Sequence, residues 1–274
     1  MKQRLGMKAF VHTASIVFVI LMMIPFYLMV VSSFRGGKDI FRFTLLPPPA
    51  TLTLEGYRTI AQDRLFLTAF GNTLFTSSTI TVFALLFASM AGFALAKLSF
   101  PGRRTLLLLI ISTMMVPFAL LMLPLFLVVK QMGMMDTLWA LILPGLPRAY
   151  GVFLMRQFMR GIPGDLLESA KIDGCGYLRA YAQIILPLSK PVLFTLATTI
   201  FLTSWNNYTW PVIAVQSKEL RVLQMHVASY FEEYTSNWAL IFASLCASTI
   251  PTLILFCVCQ RFLVEGIKLS GIKE

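Results

Sequence analysis

Acidic residues are scarce in this chain: 12 Asp and Glu stand against 23 Lys and Arg among 274 residues, a formal net charge of +11. None of the 12 falls inside any of the long apolar runs. Carriers driven by a proton or sodium gradient depend on ionisable side chains within their membrane spans, so this shortage argues against a self-powered carrier. No Gly-rich loop ending in Lys followed by Ser or Thr is present, which excludes a P-loop for ATP in this chain. There are two histidines, His12 and His226, and four cysteines, Cys175, Cys246, Cys257 and Cys259. Scattered in this way they make neither a zinc site nor a nucleophile with its base, and packing is the expected role of the cysteines. Only 13% of the residues are charged, against about 25% in soluble domains. The basic residues are dispersed, without a basic patch interleaved with stacking aromatics, so nucleic-acid binding is not indicated. The sequence therefore points to no catalytic residue, no metal and no cofactor.

What is abundant is apolar surface. Hydrophobic residues make up 57% of the chain, and mean hydropathy is +0.77. A bilayer-crossing helix needs about 20 apolar residues. Runs of that kind lie near residues 9–34, 68–96, 105–129, 137–159, 191–215 and 237–260. The expected fold is all-α, a single polytopic membrane domain over 1–274 with six transmembrane helices. The first run exceeds a signal-peptide core and has no small-residue cleavage site, so it is read as a retained span. Prolines inside the runs, such as Pro117, Pro124 and Pro144, predict kinked helices buried among others. Six spans place both termini on one side. Counting Lys and Arg with the N-terminus inside gives fourteen in cytosolic segments and eight outside. The positive-inside rule then puts both termini, and the stretch 163–190, in the cytosol. The first outside loop, Arg35 to Arg64 with Pro47-Pro48-Pro49, is too short for a domain. It is expected to pack over the bundle or to meet an external protein.

The stretch 163–190 is the polar exception in an apolar chain. Pro163 and Gly164 end the preceding helix, Asp165 is the expected N-cap, and Glu168 three residues on completes a capping box. A helix of about two turns to Ile172 is predicted. Gly174 and Gly176 then allow a sharp turn, and a second helix over 177–185 stops before Pro187. A helix, a tight turn and a helix on one membrane face suit docking into a groove of a soluble partner. The alternative is an ordinary solvated loop.

Within this stretch Glu168-Ser169-Ala170, Asp173-Gly174, Ile184 and Leu186-Pro187 resemble the EAA loop of prokaryotic ABC importer permeases, with Ser169 and Cys175 as small departures. Further motifs resemble the carbohydrate, maltose-transporter branch of that family. Among them are Ala94-Leu95-Ala96 followed by Phe100-Pro101-Gly102-Arg103, Met115-Val116-Pro117, Asp136-Thr137-Leu138-Trp139, and Trp205-Asn206-Asn207-Tyr208 with Trp210-Pro211. The tail, Phe262 to Lys273, is similar to the second permease of such pairs, whose C-terminus approaches the ATPase dimer. The resemblance implies a multi-pass subunit of the prokaryotic inner membrane without catalytic residues. Its implied partners are a second permease, two cytosolic ATPase subunits and an extracytoplasmic solute-binding protein, with a carbohydrate as solute. It further implies that the first loop helix docks into the ATPase. Glu168 would meet a basic residue there or serve only as a cap, Ser169 and Ala170 would lie at the contact, and Asp173 and Gly174 would set the turn.

Two features are candidates for the solute path. Arg148 interrupts the fourth run, and an Arg near a span centre costs roughly 2.5–3.5 kcal/mol on insertion scales. It faces a wet cavity or a partner, or else pairs at the outer edge. In the fifth run Trp205, Asn206, Asn207 and Tyr208 offer amides and ring faces suited to a neutral polyhydroxyl solute. They suit an interfacial aromatic belt equally well. Arg148 fits an anion such as glycerol phosphate, and the amides fit a neutral sugar.

Overall fold

A computed structural model describes residues 2–36, 48, 52–233 and 237–271. Apart from Pro48, the proline run 47–49 lies outside the described residues, as do 272–274. Among the described residues the chain is helical, with one isolated antiparallel bridge between Arg35 and Leu52. The helices are α1 (Lys2–Ser33), α2 (Glu55–Gln62), α3 (Arg64–Lys97), α4 (Arg103–Thr113), α5 (Phe118–Gln131), α6 (Trp139–Ile142), α7 (Ala149–Arg160), α8 (Asp165–Ile172), α9 (Tyr177–Ala180), α10 (Leu186–Leu188), α11 (Lys190–Trp205), α12 (Thr209–Ala214), α13 (Leu223–Glu233) and α14 (Trp238–Gly271).

Three stretches are long and apolar enough to cross a membrane as single helices: Phe10–Ser33, Arg64–Lys97 and Trp238–Gln260. The run at 105–129 is not one helix. It divides into α4 and α5, which meet at 100°. Pro117 is the residue preceding α5, where its missing N–H and fixed φ start a helix rather than continue one. Pro124 lies inside α5 without ending it. The run at 137–159 is likewise broken, into α6, a 3-10 turn over Leu143–Gly145 carrying Pro144, and α7. The fifth run ends as a helix at Trp205, and α12 resumes at Thr209.

The chain forms two compact units. The first contains residues 1–67 and 226–250. Here α2 approaches α14 closely, since a Cβ on Gly56 would lie 2.6 Å from the Ala239 carbonyl oxygen. Ser33 Oγ donates to Val30 O at 2.6 Å and so accepts from Tyr57 OH at 2.7 Å. The most apolar part of α1 has no buried residue within the chain.

The second unit contains residues 68–225 and 251–274. Its main core gathers Ile80, Ala84 and Ala88 of α3, Met155 and Met159 of α7, and Val192, Leu196 and Ile200 of α11. Each set recurs every fourth residue, the spacing of one helix face. Lipid competes with apolar side chains inside a bilayer, so close approach at small residues matters more than burial itself. Gly92 shows this: a Cβ there would come within 2.6 Å of Met155 Cβ. A second core joins Val129, Ala140, Leu141, Trp210 and Ala214.

Candidate functional site

The polar loop is built by α8, α9, a π turn over Tyr181–Ile185, and α10. The helix–turn–helix expected over 163–190 is present, with two differences. Gly164 caps α8, Asp165 is its first residue, and no side-chain cap forms. Instead the amides of Leu167 and Glu168 both donate to Gly164 O, at 2.8 and 3.2 Å. The capping box fails because the helix starts one residue earlier than expected. The second helix also continues through the π turn to Leu188, and Lys190–Trp205 leaves at an 80° bend. Buried Ser189 marks the bend, its hydroxyl donating to Ile185 O at 2.7 Å.

The turn itself is a Schellman motif. Gly174 has φ +75°, its amide donates to Lys171 O at 3.1 Å, and the Cys175 amide donates to Ala170 O at 2.8 Å. The left-handed conformation and the paired bonds close the last turn of α8. Glu168, Ser169, Asp173 and Gly174 are exposed, whereas Ala170 is buried within the chain. Ala170 thus packs inward rather than outward. Glu168 and Asp173 have no side-chain hydrogen bond or ion pair among the described residues. Beside them Ile172 is 86% exposed and Leu178 73%. Sequence reasoning passed over these two, since apolar residues in a helix default to the core, yet apolar side chains in the one polar loop were the available signal.

The second region is a cavity of about 230 Å³. Arg148, Ser204, Asn207, Thr76, Thr203 and the Trp210 ring are among its lining groups. Arg148 stands where the chain leaves the 3-10 turn, immediately before α7, with φ −123° and ψ 90°. Its Nε donates to Gly145 O at 2.8 Å and Nη2 to Ser204 Oγ at 3.4 Å. Trp210 Nε1 is occupied by Ala140 O at 2.9 Å.

The four span-five candidates separate. Asn207 lines the cavity. Trp205 is 1% exposed, stacks on Phe201 at 5.5 Å and meets Phe70 edge-on at 5.6 Å, so it packs in the core and does not line the cavity. Asn206 ends α11, donating to Leu202 O and accepting from Gln224 Nε2 at 3.3 Å. Tyr208 is exposed at the start of α12. Thr76 and Thr203 were missed, since a hydroxyl inside an apolar run looks like ordinary helix filling.

The structure also assembles a polar cluster that sequence reasoning missed. Asp63 precedes α3, and its Oδ1 accepts from the amides of Leu65 and Phe66 at 2.8 and 3.2 Å. Its Oδ2 accepts from Tyr230 OH at 2.6 Å and lies 3.0 Å from His226 Nε2. Burial alone would raise the Asp63 pKa, but the bonds from Tyr230, His226 and the Phe66 amide hold it below the ordinary carboxylate range. Asp136, at φ 57°, accepts from the Ser217 hydroxyl and from the amides of Ser217 and Gln216, both at 2.9 Å. The Ser217 hydroxyl and amide, then the Gln216 amide, lower its pKa.

Residues 84–267 match the family described as binding-protein-dependent transport system inner membrane component. The arabinooligosaccharides transport system permease of Halalkalibacterium halodurans is 36% identical, over 91% of this chain and 90% of that one. The diacetylchitobiose uptake system permease of Streptomyces coelicolor is 28% identical over the full length of both. The sn-glycerol-3-phosphate transport system permease of Salmonella choleraesuis is 28% identical over 97% of this chain and 98% of that one. In fold, the chain is similar to a bacterial ABC transporter involved in import of the polysaccharide alginate. That match has a TM-score of 0.82 at 24% identity and covers 93% of this chain and 97% of that one. The match over two thirds of its length, at the loop and helices just described, makes this chain a member of the binding-protein-dependent transport system inner membrane component family, the membrane permeases of ABC importers.

Proposed function

We propose that this chain is one of two permease subunits of an importer for a sugar or oligosaccharide, powered by two cytosolic ATPase subunits that bind α8 and α9. Six spans put both termini and the loop on the cytosolic side, as the excess of Lys and Arg in those segments favours. An external binding protein delivers the solute on the opposite face. The observation that carries this reading is the α8–α9 surface, where carboxylates without a partner among the described residues and exposed apolar side chains flank a Schellman turn. Glu168 and Ser169 lie at the contact, Asp173 and Gly174 fix the turn, and Ile172 and Leu178 supply apolar area. Shifting a two-state permease from 1:99 to 99:1 takes about 5.5 kcal/mol, which ATP-driven closure delivers only through a rigid grip. Arg148 and Asn207 lie on the solute path. A glycerol-phosphate-like solute is the second reading, favoured by the unneutralised Arg148.

The test is ATP-driven uptake by the reconstituted complex, with ATPase co-purification scored in parallel. Gly174→Pro and Glu168→Ala are expected to lower uptake and ATPase retention together while the membrane subunits stay assembled. Uptake that persists after loss of the ATPase refutes the docking role of the loop.

A further inference from the structure

We propose that the cavity receives an oxyanion of the solute on Arg148, so that the transported compound is an acidic sugar or sugar-like polyol, carrying a carboxylate or a phosphate. The inference rests on the reading of this cavity as part of the solute path.

Arg148 is the one ionisable group among the cavity's lining residues. Its protein partners, Gly145 O and Ser204 Oγ, are both neutral. A guanidinium carries five N–H donors. With Nε on Gly145 and one Nη2 hydrogen on Ser204, both hydrogens of Nη1 and one of Nη2 have no acceptor among the described residues. No carboxylate is available inside the apolar runs to neutralise the charge. Among the described residues the cation therefore has no counter-ion in its low-dielectric wall, where an incoming oxyanion interacts far more strongly than it would in water. A guanidinium edge also matches a carboxylate or phosphate in geometry, giving charge-assisted bonds to two oxygens at once.

The other lining groups suit the rest of such a solute. The Asn207 side chain has no partner among the described residues and offers a donor and an acceptor to hydroxyls. Thr203 and Thr76 spend their hydrogens on Ile200 O and Asn72 O, so each hydroxyl oxygen remains an acceptor. The Trp210 ring, fixed by its bond to Ala140 O, is buried and backs the cavity wall. A neutral sugar would use the amide and the hydroxyls and leave the charge of Arg148 unanswered. The competing role for Arg148 is to brace the break before α7 through Gly145 O. A brace affects every solute alike, and an anion receptor does not.

The experiment uses the whole complex in proteoliposomes, with its binding protein and ATP. The labelled probes are digalacturonate, its neutral counterpart galactobiose, and glycerol 3-phosphate. The binding protein is common to wild type and variants, so a changed ratio between probes reports the membrane cavity. Wild type is expected to import at least one anionic probe, and which one separates carboxylate from phosphate. Arg148→Gln is expected to lower the ratio of that probe to galactobiose about tenfold or more at subsaturating concentration, and Arg148→Lys by less. If the Gln variant fails to assemble with the ATPase, Arg148→Lys decides: selective loss of anionic uptake supports the proposal and equal loss overturns it. Import of galactobiose alone, or an equal fall for all probes, also overturns it while leaving the sugar-importer reading intact. No import of any probe under ATP hydrolysis brings down both.

Discussion

Two pairs of carboxylates in this chain behave in opposite ways. Asp63 and Asp136 sit beside helix ends and are saturated by their own chain: Asp63 by two amides, Tyr230 and His226, Asp136 by two amides and a hydroxyl. Glu168 and Asp173 sit on the α8 loop, and their side chains bond nothing among the described residues. In the first group the carboxylate fixes the fold where it stands. In the second it adds almost nothing to the fold and is free for another molecule. The difference separates carboxylates that hold the fold from carboxylates on the surface proposed above for docking.

The comparison can be broken at several points. The largest effect is expected from Gly174→Pro, because a φ of +75° is closed to proline and the amide to Lys171 O is lost. A cost of about 3 kcal/mol should unmake the turn and reduce ATP-driven uptake to background. Asp63→Ala removes acceptors from two amides and a buried hydroxyl, and should cost about 2 kcal/mol, read as a lower thermal midpoint in detergent with ATPase retention unchanged. The pH dependence follows from the same bonds. A carboxyl held below its ordinary pKa contributes stability above the ordinary carboxylate range, and that contribution is lost as pH falls through the lowered value. Acidification should thus narrow the gap between wild type and Asp63→Ala. Tyr181→Phe removes the hydroxyl that meets Ser89 Oγ at 2.7 Å, where Ser89 already donates to Leu86 O. About 1 kcal/mol is expected, with fewer solute molecules moved per ATP. Glu168→Ala should change the thermal midpoint least, by less than about 0.5 kcal/mol, while weakening ATPase retention. A large stability loss from that substitution would erase the distinction between the two groups.

Much of this was legible in the sequence for a simple reason. Runs such as 68–96 and 237–260 carry no charge and few breakers, so apolar length alone fixed them. Gly174 was legible because few residues besides glycine take its conformation readily. The breaks were harder. Pro117 announced one, but the gap at Asn206–Tyr208 contains neither proline nor glycine. There the helix ends as Asn206 and its neighbours form contacts with residues distant in sequence, such as Gln224 and Ala140. Trp205 was misjudged for the same cause: its ring looked like a ligand surface until Phe70, 135 residues away, closed over it. Arg148 was conspicuous as a charge in an apolar run, while its partners Gly145 and Ser204 carry no signal of their own. The cluster of Asp63, His226 and Tyr230 was invisible because its members come from opposite ends of the chain.

The π turn at Tyr181–Ile185 has a consequence for how the sequence can change. Such a turn holds one residue more than an α-helix needs, and each residue advances a helix by about 100°. Tyr181 and Ile185 both reach the core across this turn. Deleting a single residue between them would restore regular winding and leave Leu186–Leu188 and Ser189 close to their present phase. The segment between α9 and α11 is therefore expected to absorb the loss of one residue inside the turn, but not a change of length on either side of it. An insertion or deletion outside the turn would put its two ends out of phase, even if every exposed side chain were kept.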